Sequence, residues 1–309
     1  MAAITRGSSA GLRVAEPKGT PLTTAVALLY VLLWSSAFIA SRVGVQHSPP
    51  LSLLSLRFLS AALVLAAIVA VRRLPTPRGR RAWGRLALFG LLNSGLYLGF
   101  TYEGTRHLSA GMGSIIAALN PLLLTLLAPR LLGERLTGRR LFGLALGFGG
   151  VVFVMGARLG SGGKTDTAGG MILAVVGVLC LVGATTIYKR YPPTEHPLVV
   201  NAVQLGAAGL GLLPAMLIEH PERVHLDRPL IFSALYLILA ISIGASLLWF
   251  WLLERGEAST VSSYYFLTPI FGLGLAALLL GEPFGPRDGV GLLAVAAGIA
   301  LINRAPARG

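Results

Sequence analysis

The sequence predicts an all-α integral membrane protein: ten transmembrane helices forming two inverted five-helix repeats, with both termini in the cytoplasm. Three observations lead there. Apolar stretches of about 20 residues, each long enough to cross roughly 30 Å of hydrocarbon as a helix, recur along nearly the whole chain. Basic residues alternate in density from one connecting segment to the next. The second half of the chain repeats the first at an almost constant offset.

The apolar segments run approximately over 22–41, 51–71, 84–103, 109–131, 139–157, 168–188, 198–218, 229–252, 258–280 and 287–303. With 54% hydrophobic and 12% charged residues and a mean hydropathy of +0.75, the chain is more apolar than a water-soluble core requires. Helices are the expected spanning element, because a membrane strand needs only about 10 alternating residues. The first segment follows a basic tail with Arg6, Arg13 and Lys18, as a cleaved signal peptide would. Its apolar run is long for a signal core, and a matching helix recurs near residue 180, so a retained span is expected. The single cysteine, Cys180, lies in an apolar segment; it excludes an intrachain disulfide and reads as a small core residue.

The net charge of +14 follows the topology. With the N-terminus inside, the cytoplasmic segments hold 18 of the 26 basic residues, including the cluster Arg72, Arg73, Arg78, Arg80, Arg81 and Arg85. The outer segments, from Arg42 and Arg106 to Arg287, hold seven, and Arg57 alone falls within a span. This is the positive-inside pattern, and it places both termini in the cytoplasm without any need for a nucleic-acid partner.

A shift of 148 residues lays Ala110–Gly150 on Ala258–Gly298 without a gap, with 14 identities in 41 positions. Pro121 falls on Pro269, Gly133 and Glu134 on Gly281 and Glu282, and Gly150 on Gly298, matches that shared apolar composition does not supply. A shift of 147 pairs the second span with the seventh, Ala61 with Ala208, Leu63 with Leu210 and Arg57 with Gln204. Five spans per half make the second copy enter the membrane from the opposite side, which relates the halves by a pseudo-two-fold axis in the membrane plane. The expected organisation is a basic cytoplasmic tail (1–21), a first repeat (22–158), a polar flexible linker (159–167), a second repeat (168–304) and a short tail (305–309).

These residues resemble the EamA-type, ten-helix branch of the drug/metabolite transporter superfamily, over about residues 22–304. The resemblance rests on Trp34-Ser35-Ser36-Ala37-Phe38, Arg57-Phe58, Asn120-Pro121-Leu122, Gly133-Glu134-Arg135, and the echoes Thr268-Pro269 and Gly281-Glu282. It implies a central cavity among the first, third, fourth, sixth, eighth and ninth helices, with Trp34, Ser36, Asn93, Tyr97, Asn120, Trp249 and Tyr264 as lining candidates. It also implies a cell-membrane, multi-pass secondary transporter, an exporter of small organic metabolites such as amino acids, working by alternating access.

Several residues carry a physical reading of their own. Pro121 and Pro269 lie inside apolar segments, where each removes a backbone bond and crowds the carbonyl four residues earlier, at Ala117 and Tyr265. Each is either a static kink or a hinge that bares a carbonyl toward a cavity. Arg57 lies about one and a half turns in from the outer side. It either snorkels or bonds backbone carbonyls, or it belongs to the substrate pathway. Asn93, Tyr97, Tyr102, Gln204, Tyr264 and Tyr265 either bond between helices or line that pathway. Gly95 with Gly99, and Gly143 with Gly147, have the spacing of close helix approach. Gly133 and Gly281 are expected to cap helix ends, with Glu134 and Glu282 near the starts of the following helices.

No His, Asp or Glu spacing suggests a metal or catalytic constellation, and no phosphate-binding glycine-lysine loop occurs, so neither enzyme activity nor a cofactor is expected. The expected partners are a small-molecule substrate and the lipid bilayer, with a homodimer open. A nontransporting membrane scaffold or receptor and a lipid-acting membrane enzyme are the competing readings. Related small multidrug-resistance proteins bind cations through a first-helix glutamate. Here that helix offers Trp34, Ser35 and Ser36, and its repeat partner Gly183, Thr185 and Thr186, so a neutral, zwitterionic or anionic substrate is expected.

Overall fold

Helix follows helix through the described part of the chain, residues 21–120, 122–123, 126–127, 137–160, 166–219, 224–254 and 268–303 of a computed structural model. The elements are α1 (Pro21–His47), α2 (Pro50–Val71), α3 (Arg80–Gly90, Leu91–Leu96 and Tyr97–Thr105, end to end), α4 (Ala110–Ala117) and α5 (Gly138–Gly160). The second half continues with α6 (Ala168–Arg190), α7 (Pro197–Ile218), α8 (Arg228–Tyr236, Leu237–Ala245 and Ser246–Glu254, end to end), α9 (Thr268–Leu280) and α10 (Pro286–Asn303). Pro121, Gly133, Glu134, Arg135, Tyr264 and Tyr265 lie outside the described residues, as does most of the 159–167 linker.

Local chemistry sets the helix starts. Ser109, Thr167 and Asp227 each accept a bond from an amide in the turn that follows, at Met112, Gly170 and Leu230. Pro50 and Pro197 open α2 and α7, where a missing N–H costs nothing. Gly281 ends α9 with φ +64°, as expected of a helix-terminating glycine. Five described helices are long and apolar enough to cross a membrane, and their outward faces carry large apolar side chains such as Leu63, Ile172, Leu210 and Phe232. An apolar exterior over a core that holds the polar side chains is the arrangement a bilayer favours.

Helix contacts show how the halves are related. A Cβ added at Gly150 would lie 2.7 Å from the Gly291 carbonyl oxygen, and one at Gly298 would lie 2.5 Å from the Gly143 carbonyl oxygen. The 148-residue shift turns one contact into the other. Between α2 and α7, Leu59 meets Gly209 and Ala62 meets Gly206, and the 147-residue shift exchanges these two contacts as well. In both pairs the register rises on one helix as it falls on the other, so equivalent helices run antiparallel. A two-fold that exchanges antiparallel helices is perpendicular to them, which puts the axis in the plane of the membrane.

Three expectations change. The first helix continues six residues past the apolar run, to His47, and carries Arg42 inside it, because the Ser48 amide still bonds the Gly44 carbonyl (3.0 Å) after the sequence has turned polar. Glu282 serves a different helix from the one that follows it: it bonds the first amides of α4 at Ala110 (2.7 Å) and Gly111 (3.0 Å). The third and eighth spans are interrupted by wide π-helical turns at Leu91–Leu96 and Leu237–Ala245, positions that the repeat superposes.

Candidate functional site

A polar network runs through the apolar packing of α2, α3, α7 and α8. Arg57 is 4% exposed. Its Nε donates to Ser242 Oγ (2.8 Å), one Nη donates to Tyr102 Oη (2.7 Å), and the guanidinium lies 5.4 Å from the Phe58 ring centre. The side chain is therefore held inside, not snorkelling, and its partners are hydroxyls, not the backbone carbonyls that were one alternative. The arrangement offsets a burial cost of order 3 kcal/mol, since a bond to a charged group contributes about 1.5–3 kcal/mol.

The network continues on α7. Asn201 Nδ2 donates to the Ser242 carbonyl (3.2 Å), Gln204 Nε2 donates to Asn201 Oδ1 (2.6 Å), and Asn93 Nδ2 donates to Gln204 Oε1 (3.3 Å). The repeat explains its shape. Arg57 and Gln204 are equivalent, and each bonds a residue in the π-helical turn of the other half, Ser242 in α8 and Asn93 in α3. Wide turns of this kind are frequent at functional sites. Gly90 brings α3 against the backbone of Gln204, where an added Cβ would meet the carbonyl oxygen at 2.3 Å.

The second feature sits where α4 and α9 cross. Their register is antiparallel, Gly111 on Leu273 and Ser114 on Gly272, and Asn120 and Thr268 lie beyond these contacts on the two helices' continuing segments. These two are repeat equivalents, each preceding a proline. The α-helix of α4 stops at Ala117, the residue whose carbonyl Pro121 cannot bond, and the Ala118 amide turns back to Ile115 (3.1 Å). Pro269 is the second residue of α9. Asn120 Oδ1 and Thr268 Oγ1 are both buried without a hydrogen-bond partner among the described residues, and Thr268 is 4% exposed. A buried orphan acceptor or hydroxyl costs about 1–3 kcal/mol and calls for an explanation. Two of them at equivalent positions share one. Ser35 Oγ, buried on α1, reaches the Thr268 carbonyl at 3.3 Å.

Aromatic candidates from α1 and the C-terminal part of α8 gather together. Tyr30 packs against both Trp34 (ring centres 6.2 Å apart) and Trp249 (5.4 Å). Ser36 Oγ shares a 2.5 Å bond with Tyr236 Oη, and Tyr97 is buried in α3. Sequence reasoning left out Asn201, Ser242 and Tyr236. A serine or tyrosine in an apolar segment gives no periodic signal of its own.

At the end of the bundle where α1 finishes and α2 begins, a cavity of about 200 Å³ is lined by Gln46, His47, Ser48, Arg106, Glu219 and His225, among others. His47 Nδ1 lies 2.6 Å from Asp227 Oδ2. The Leu230 amide, above all, holds the Asp227 carboxyl below the usual range; His47 assists, against a smaller opposing effect of desolvation. Among the described residues, no group of three or more His, Cys, Asp or Glu side chains is placed to hold a metal ion.

Comparison with known proteins gives a family. The profile described as "EamA-like transporter family" matches residues 22–156 and again residues 168–304. An "Uncharacterized transporter" of Bacillus subtilis (strain 168) is 30% identical over 289 residues, covering 93% of both chains. An "Uncharacterized inner membrane transporter" of Escherichia coli (strain K12) is 27% identical, over 92% of this chain and 90% of that one. A "Probable amino-acid metabolite efflux pump" of Salmonella typhimurium (strain LT2) is 28% identical, over 89% and 92%. One solved crystal structure shares the fold with a TM-score of 0.66 at 19% identity, covering 91% of this chain and 96% of that one.

Proposed function

Since the chain belongs to the EamA-like transporter family, we propose that it is a secondary exporter of a small organic metabolite, an amino acid or a close relative, working by alternating access. The two halves rock about the crossing of α4 and α9, with Pro121 and Pro269 as hinges. The substrate pathway is drawn from Trp34, Ser36, Arg57, Asn93, Tyr97, Asn120, Trp249 and Tyr264. The observation that carries this reading is the pair of buried polar atoms on Asn120 and Thr268 that have no partner among the described residues. Related by the repeat and next to the helix-breaking prolines, they are suited to hydrogen-bond a substrate at mid-depth. Arg57 favours an anionic or zwitterionic substrate: two of its N–H groups are engaged, and the others have no partner among the described residues. The name of the Salmonella relative points to the same substrate class.

The test combines flux with stability. Thr268→Val removes an orphan hydroxyl at nearly constant shape, so the thermal midpoint should hold or rise. Uptake of amino acids into inverted liposomes should fall by about tenfold, the loss of one hydrogen bond of roughly 1.4 kcal/mol. Unchanged flux in Thr268→Val and Asn120→Leu would remove these residues from the pathway. Transport of a quaternary ammonium compound without any amino acid or organic acid would overturn the substrate class.

A further inference from the structure

Two carboxylates cross from the second half to the first at one end of the bundle, the outer end in the proposed orientation. Glu219 closes α7, and its Oε2 accepts the Leu51 amide (2.9 Å) and the Ser52 amide (3.0 Å) in the first turn of α2. Glu282, just past Gly281 at the end of α9, accepts the Ala110 and Gly111 amides in the first turn of α4. First-turn amides have no partner within their own helix, and the positive helix end favours an anion, so each contact is a charge-assisted tie between the repeats.

The repeat shows that the α7-to-α2 tie belongs to one end. The 147-residue shift carries Glu219 onto Arg72, an exposed cation that cannot accept an amide bond. At that opposite end the first turn of α7 is capped from within, the Leu198 amide donating to His196 Nδ1 at 3.2 Å.

We infer that Glu219 and Glu282 are the outer gate contacts of the transport cycle, and that the Glu219 tie lets external protons set how firmly the outer end is shut. The inference rests on the alternating-access reading and adds its gate. Glu219 lines the outer cavity, while its Oε1 is buried without a partner among the described residues. Among the described residues, the ionisable groups around it are His47 on α1, Glu103 and Arg106 on α3, and His225 and Asp227 before α8. Desolvation pushes the Glu219 carboxyl above its ordinary range. The Ser52 and Leu51 amides oppose this, Glu103 adds to it, and Arg106 opposes it. A carboxyl raised in the tied state binds its proton more tightly there than when released into water. External acid therefore favours the closed outer end, and deprotonation favours opening.

A thiol beneath the tie can report this. Ser52 is 5% exposed. In a Cys180→Ala background, Ser52→Cys in nanodiscs is labelled with a maleimide, its rate divided at each pH by that of Leu226→Cys, an 80%-exposed site that corrects for thiolate fraction. The corrected rate should fall as pH drops from neutral toward the upper carboxylate range. Glu219→Ala and Glu282→Ala should each raise it about tenfold, the loss of a charge-assisted bond. Glu219→Gln keeps an acceptor and mimics the protonated group, so its rate should stay low and lose its pH response. Should the alanine variants fold poorly, the Glu219→Gln profile decides alone. Parental rates in the alanine variants, or a parental pH response in Glu219→Gln, overturn the gate whatever the flux. The expected labelling with no flux of any metabolite overturns the transporter reading and leaves the ties standing.

Discussion

Arg57 shows what a single residue discloses before its surroundings are known. A lone charge within a span demands partners, and the sequence made that demand visible along with Gln204 as the repeat equivalent. Its partners were less visible: Tyr102 and Ser242 lie 45 and 185 positions away, and no pattern in an apolar helix marks one serine as the end of a hydrogen bond. Of the alternatives open for Arg57, snorkelling does not hold, because the guanidinium is buried and bonds the α3 and α8 hydroxyls. Tyr102→Phe should accordingly leave one guanidinium N–H without its acceptor and destabilise the protein by about 1–3 kcal/mol. Thermal melts in detergent check this, and a double cycle with Ser242→Ala should show coupling, because both hydroxyls satisfy one charge. Additive losses would mean that the two contacts act independently.

Among the elements, glycine spacing was legible and helix winding was not. Gly143 and Gly147 announced a close approach, and α5 meets α10 there through Gly298, with Gly150 on Gly291 as the equivalent contact. The π-helical turns in α3 and α8 left no mark, since Leu91–Leu96 and Leu237–Ala245 contain no proline and read as ordinary apolar helix. The site depends on them, because they present Asn93 and Ser242 to the opposite half. The tie at Glu282 was partly legible, since a carboxylate after a helix end suggests a cap, but which helix it caps is a tertiary fact, and Glu219 was not singled out. The glycine contact gives a contrast within one helix. Gly150→Leu has no room against the Gly291 carbonyl, whereas Gly149 has no atom within 4 Å of an added Cβ. Gly150→Leu should cost about 1–3 kcal/mol or more, and Gly149→Leu close to nothing, in melts of the detergent-solubilised protein.

For the whole molecule, the doubled five-helix frame was readable because the two facts that determine it are properties of sequence: the number of apolar segments and the offset at which they repeat. An odd number of crossings per repeat requires inversion, and the antiparallel contacts of α2 with α7 and of α5 with α10 are the structural form of that requirement. Which face is cytoplasmic is a separate matter, set by charge and independent of packing. With 18 basic residues on one side and seven on the other, insertion should keep the richer side inside. Single cysteines at Gly7 and Ser161, in a Cys180→Ala background, should then react with a membrane-impermeant maleimide on opposite faces of intact cells, Ser161→Cys from outside and Gly7→Cys only after permeabilisation. The two positions are separated by five crossings, so labelling of both from one side is incompatible with five spans in the first repeat. Reaction of Gly7→Cys alone from outside would keep the inverted frame and reverse its orientation. The Glu219 and Glu282 ties would then face the cytoplasm, and the gate they form would answer to internal pH.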